Sequence, residues 1–174
     1  MTGDEEQGEG AGRRWRKVGI RAGTPADAAA LAAMMLDFEA TLNAIATTPD
    51  ELTDRTAEAA AAMAALALRP EGPARVLIAE AEGACAGYLA FSPVLWMDDA
   101  ATAFFISDLF VSEAVRGAGA GRALMEAAAA AARAEGAGRL VWCVWRRNAP
   151  ALAFYDRLGA EELASERLMT LTVG

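Results

Sequence analysis

The chain has 174 residues, 55 % of them apolar; 45 are alanines, which leaves 50 larger apolar side chains, enough for one packed domain without a disulfide or metal staple. It holds no histidine, and Cys85 and Cys143 form no Cys-x-x-Cys pair, so imidazole catalysis, histidine-containing metal sites and zinc-ribbon or thioredoxin-type sites are excluded and no metal is expected. The net charge of −8 falls entirely on residues 18–174, with 20 acids against 12 bases, a balance that argues against nucleic acid and suits a cationic small molecule.

Residues 1–15, rich in acids and glycine, read as a disordered tail, and residues 16–174 as the folded domain. The tail lacks the apolar stretch of a secretory signal. The longest uncharged apolar run, residues 59–68, is about half of what a membrane span needs. A cytoplasmic location with both thiols reduced is therefore expected. Residues 16–22 make a first strand. Thr24-Pro25-Ala26-Asp27 starts a helix reaching about residue 41, with Thr24 as cap, Pro25 at the first position and Asp27 in the positive first turn. Thr48-Pro49-Asp50-Glu51 starts a second helix that ends before Pro70. Strands follow at 75–81 and 85–92, joined at Glu82-Gly83. A loop over 93–101 carries Trp96, Asp98 and Asp99, and leads to an apolar strand at 103–111. A glycine-rich turn, 116–121, opens a helix to about residue 135. A strand at 139–145 precedes a helix begun by Asn148-Ala149-Pro150 and stopped at Leu158-Gly159. A last strand spans 167–173. This order indicates an α/β domain with a mixed sheet.

The chemistry concentrates in two places. The first is Arg116-Gly117-Ala118-Gly119-Ala120-Gly121-Arg122, after an apolar strand and before a helix. Glycines let the loop's N–H groups turn inward, and the helix start adds unpaired donors and partial positive charge. Together they suit a pyrophosphate, with Arg116 and Arg122 as further donors. Gly121 is followed by Arg-Ala rather than Lys-Ser/Thr, so this is no P-loop. The glycines also come too late and too closely spaced for a dinucleotide fingerprint.

The second place is Asn148-Ala-Pro-Ala-Leu-Ala-Phe154-Tyr155-Asp-Arg-Leu158-Gly159-Ala160. With Arg116-x-x-Gly119-x-Gly121 before it, this segment resembles the GNAT superfamily of N-acetyltransferases over residues 103–160. The resemblance implies a mixed, mostly antiparallel, twisted sheet of about six to seven strands flanked by helices, and acetyl-CoA as co-substrate. It implies that the backbone of Leu109, Phe110 and Val111 pairs with the pantetheine arm. The amides of Gly117, Ala118, Gly119, Ala120, Gly121 and Arg122 would hold the pyrophosphate, and Asn148 would bond the pantetheine. Tyr155 would protonate the departing thiolate, a task that suits a phenol of ordinary pKa about 10. Asp108, directly or through water, would take the proton of the attacking amine, with Ser107 as the alternative relay.

A narrower resemblance, to the diamine (spermidine/spermine-type) acetyltransferases, runs through residues 37–52, Gly87-Tyr-Leu-Ala-Phe, Trp96, Ser107-Asp108-Leu-Phe-Val and residues 154–163. It implies a polyamine-like substrate held by Asp37, Glu39, Ser107, Asp108, Asp98 and Asp99. The chain departs from that branch at Ser107, where a Glu is usual, and at Glu166-Arg167-Leu168, where Gly-Trp is usual. The acceptors to consider therefore extend to amino acids, aminoglycosides and protein N-termini or lysines. A non-catalytic acyl-CoA sensor would keep Arg116–Gly121 without needing Tyr155. The resemblance also allows a homodimer paired through the C-terminal strands.

Overall fold

The computed structural model describes residues 18–96, 101–164 and 168–171. The tail over 1–15, and Asp98 and Asp99 with it, lie outside the described residues. Five strands form one sheet in sequence order: β1 (Gly19–Ala22), β2 (Arg75–Ala81), β3 (Ala84–Trp96), β4 (Ala101–Val111) and β5 (Arg139–Trp142). All neighbours are antiparallel except β4 and β5. Helices α1 (Ala28–Asn43) and α2 (Ala57–Ala67) cover one face, where Leu31, Met34, Met35, Ala64 and Leu68 pack on Val76, Ile78, Tyr88, Ala90 and Phe110. Helix α3 (Ala120–Ala134) covers the other, where Leu124, Met125, Ala128 and Ala132 pack on Ala79, Leu89, Phe91, Phe104 and Ile106. The two sets on β2 and β3 alternate residue by residue, as period-2 side chains must.

Strand β4 breaks that alternation. Phe104 and Ile106 face α3, yet Phe110 faces α1. Ala90 pairs with Asp108 and Phe91 with Ile106, so Ser107 is an extra residue. This β-bulge turns every later side chain to the opposite face. Pairing of β4 with β5 also ends there, at Ile106 and Trp142. Beyond that point the two strands part.

Four sequence expectations need correction. The described residues hold five strands, not six to seven. Of the expected last strand, residues 168–171 belong to no strand and expose Leu168, Met169 and Leu171, and the rest lies outside the described residues. Apolar, β-prone residues make a strand only where a neighbour pairs them. The second helix is broken: Pro49–Glu51 forms one 3-10 turn, Leu52 is extended, and α2 starts only at Ala57, capped by the Thr56 hydroxyl accepting from the Ala59 N–H at 3.1 Å. Asn43 holds the break open, its amide donating to the Thr53 carbonyl at 2.8 Å and its oxygen accepting from the Thr53 N–H at 3.1 Å, a side-chain competitor to helical bonding. Strand β3 runs through Pro93 to Trp96, because β2 ends opposite Phe91 and leaves that stretch paired only on the β4 side. Strand β5 stops at Trp142 rather than 145, where the bulge turns β4 away.

Candidate active site

The bulge places Asp108 on the α1/α2 face, two residues past the last β4–β5 pair at Ile106. Tyr88, fully buried, lies diagonally across on β3 and donates its hydroxyl to Asp108 Oδ2 at 3.2 Å. Burial pushes the Asp108 carboxyl above the usual range, while the Tyr88 hydrogen bond and the charge of Arg55 oppose it. Burial, the Asp108 charge and donation to it push the Tyr88 phenol far up. Arg55 is in turn held by Glu39. Glu39 is 7 % exposed; its Oε1 accepts from the Arg55 N–H at 2.7 Å, and its Oε2 lies 3.6 Å from Arg55 Nε without a hydrogen bond. Burial acts to raise the Glu39 carboxyl, but the bonds and charge around it leave it lowered. Asp37 is exposed on the same helix, and Ser107 is exposed at the bulge.

Tyr155, on α4 (Ala149–Asp156), stands at the fork from the other side. Its ring lies 4.9 Å from that of Trp142, the last paired residue of β5, and 5.1 Å from Phe154. It is half-buried, and burial alone pushes its phenol up to about 12. Asn148 caps α4, its Oδ1 accepting from the Ala151 N–H at 3.2 Å. That leaves its amide nitrogen to donate elsewhere.

The glycine loop follows β4. Gly117 and Gly119 adopt φ of +82° and +85°, left-handed values that cost other residues about 1–2 kcal/mol. A Cβ at either would meet open space. No side chain caps α3 at Gly119, so its first-turn N–H groups stay available to an anion. Gly121 serves packing instead: a Cβ there would sit 3.2 Å from the Phe154 ring. The side chains of the two flanking arginines are engaged locally. Arg116 Nε donates to the Val111 carbonyl at 3.2 Å, and Arg122 Nη2 donates to the Arg157 carbonyl at 3.1 Å. The structure thus sets Ser107, Asp108 and Leu109–Val111 on β4 at and beyond the fork, with the glycine loop following them, and Tyr155 against Trp142 on the β5 side; Asn148 opens the helix that carries Tyr155.

Sequence reasoning missed Tyr88 and Arg55. Tyr88 was legible as an inward residue of an alternating strand, but its contact with Asp108 depends on the bulge. Arg55 reaches the site only because the second helix is broken ahead of it.

Comparison with known proteins agrees with this geometry. The family model described as "Acetyltransferase (GNAT) family" matches residues 38–160, and the chain belongs to that family. An L-ornithine N5-acetyltransferase of Arabidopsis thaliana is 37 % identical over 87 residues, which is 50 % of this chain and 38 % of that protein. The chain therefore matches well under half the length of this relative. An integron cassette protein from the mobile metagenome of V. cholerae shares the fold with a TM-score of 0.74 at 19 % identity, covering 91 % of this chain and 94 % of that one. A ribosomal-protein-alanine N-acetyltransferase from Brucella melitensis does so with a TM-score of 0.67 at 19 % identity, covering 89 % and 100 %. Among the described residues, no helix is long and apolar enough to cross a membrane.

Proposed function

We propose that the protein transfers the acetyl group of acetyl-CoA to the primary amine of a small cationic molecule, by direct attack within a ternary complex. The observation that carries this reading is the bulge at Ser107, which sets Asp108 on one side of the β4–β5 fork while Tyr155 stands on the other. The left-handed glycines and uncapped α3 suit the pyrophosphate, the backbone of Leu109–Val111 the pantetheine arm, and the Asn148 amide its carbonyl. Bound there, the thioester supplies an activated acetyl carbon.

Asp108 takes the proton of the substrate ammonium, directly or through water, and frees the nitrogen lone pair. The N–C bond forms, the C–S bond breaks, the Tyr155 hydroxyl gives its proton to the sulfur, and the second proton of the acylated nitrogen passes to the tyrosinate, directly or through water, which restores the phenol. Tyr155 suits that step because burial keeps its phenol protonated at neutral pH. The acidic body and the carboxylates of Glu39 and Asp108 favour a cationic acceptor, polyamine or diamino acid, and the named substrate of the ornithine acetyltransferase is such a molecule.

The test is thiol release from acetyl-CoA with spermidine, putrescine, L-ornithine, kanamycin and an N-terminal peptide. Turnover on a small amine that drops about a hundredfold in Tyr155→Phe is expected. Turnover confined to the peptide, or unaffected by Tyr155→Phe, would overturn the small-amine or the proton-donor assignment respectively.

A further inference from the structure

A cleft of about 470 Å³ lies between the break before α2 and the turn after β5, lined by Asp50, Glu51, Thr53, Trp145, Arg146 and Arg147. The Arg147 guanidinium pairs with the Glu51 carboxylate across it. Both walls are fixed. Glu51 Oε2 accepts from the Thr47 N–H at 2.8 Å and the Thr48 N–H at 3.3 Å, and Asn43 clamps Thr53. Arg146 pairs with the exposed Glu162 at 3.0 Å. Both walls of the cleft run on along the chain into residues of the proposed reaction centre. Arg147 directly precedes Asn148, and Thr53 lies two residues before Arg55, whose charge acts on Asp108.

The lining carries both signs. A diamine brings only positive charge, so it can pair with Asp50 or Glu51 but releases Arg147 from Glu51 without offering it a new anion. An α-amino acid brings a carboxylate and an ammonium on one carbon. Its carboxylate matches the planar fork of Arg147, and its ammonium matches Glu51. One exposed ion pair, which contributes little by itself, is then exchanged for two. We infer that this cleft is the head-group subsite for an α-amino acid whose side-chain amine is the one acetylated. The inference deepens the small-amine reading and rests on it for the identity of the reaction.

The experiment is calorimetric titration of the CoA-bound protein with L-ornithine, L-ornithine methyl ester and putrescine, in the wild type and in Arg147→Gln. The wild type is expected to bind L-ornithine at least about tenfold more tightly than either analogue. Arg147→Gln is expected to narrow that ratio to about threefold or less, and Arg147→Lys to restore part of it. Equal binding of the three ligands, binding of none, or a ratio unmoved by Arg147→Gln would overturn the head-group assignment. Preferential binding of L-ornithine without acetylation of it would uphold the cleft and overturn the acetyl-transfer reading instead. Retained turnover of putrescine with no ornithine preference would do the reverse.

Discussion

Two aspartates on the α1/α2 side of the sheet live in opposite surroundings. Asp27 closes the turn before α1. It receives Arg21 Nη1 and Nη2 at 2.8 and 2.7 Å, and the Thr24 N–H and hydroxyl at 2.7 and 2.9 Å. Arg21 in turn holds Glu80 on β2 at 2.9 Å. Asp108, on β4, has one side-chain donor among the described residues, Tyr88, at 3.2 Å. The Arg21 guanidinium holds the Asp27 carboxyl far below its usual range, whereas burial lifts that of Asp108. A carboxylate saturated with donors has no lone pair left for a substrate and works as a rivet. One that is desolvated and under-supplied is poised to take a proton.

Exchanging each for asparagine separates the two roles. Asp108→Asn is expected to lower kcat by about two to four orders of magnitude, the range of general-base catalysis. It should also leave the melting temperature unchanged or raised. Asp108 has a raised folded-state pKa, so its contribution to stability is present below the unfolded pKa and is lost as pH rises through the folded one. Its charged form carries the desolvation cost, and asparagine removes that cost. Asp27→Asn should do the opposite, costing roughly 2–3 kcal/mol by leaving Arg21 and Thr24 under-bonded while the kinetics of the folded fraction hold. The stabilising contribution of Asp27 is present above its unfolded pKa and fades as pH falls toward its depressed folded value. Denaturant melts of both variants at pH 7 check the signs, and a wild-type level of kcat in Asp108→Asn would end the comparison.

Tyr88→Phe tests the single donor. The Tyr88 hydrogen bond lowers the Asp108 pKa against the effect of burial, so removing it should move the acid limb of the kcat/KM profile toward neutral pH. Arg55→Gln should move it the same way, since Arg55 also favours the charged form. Neither variant should create a basic limb below pH 10, because the Tyr155 phenol stays protonated there. A limb that stays in place in both variants would detach Asp108 from the proton transfer.

Much of this was legible in the sequence. Residues 116–121 and 148–160 marked the glycine loop and the helix that carries Tyr155, since glycine spacing and cap residues act locally. The role of Asp27 was legible only in part: its place in a first turn was clear, but the arginine that holds it arrives from β1. Tyr88 and Asp108 are 20 residues apart, and their meeting depends on one inserted residue at Ser107. A strict period-2 reading from Ile106 sends Asp108 to the α3 face, away from Tyr88. The break before α2 was hidden for a similar reason, because Asn43 competes for Thr53 across ten residues of chain.

The smallest effect tests redundancy at the saturated end. Thr24→Val removes one donor to Asp27 and keeps the shape of the side chain. The backbone there is extended, with φ −127° and ψ 162°, so a β-branched residue fits. Asp27 keeps both Arg21 contacts and the Thr24 N–H. The loss should therefore be about 0.5–1 kcal/mol, that of one hydrogen bond among several. The acid limb of the activity profile should not move, because nothing at Asp108 has changed. The same deletion of a single hydroxyl at Tyr88 reaches that limb, because among the described residues no second side-chain donor takes its place. If Thr24→Val instead cost as much as Asp27→Asn, the hydroxyl and not the guanidinium would be holding the carboxylate.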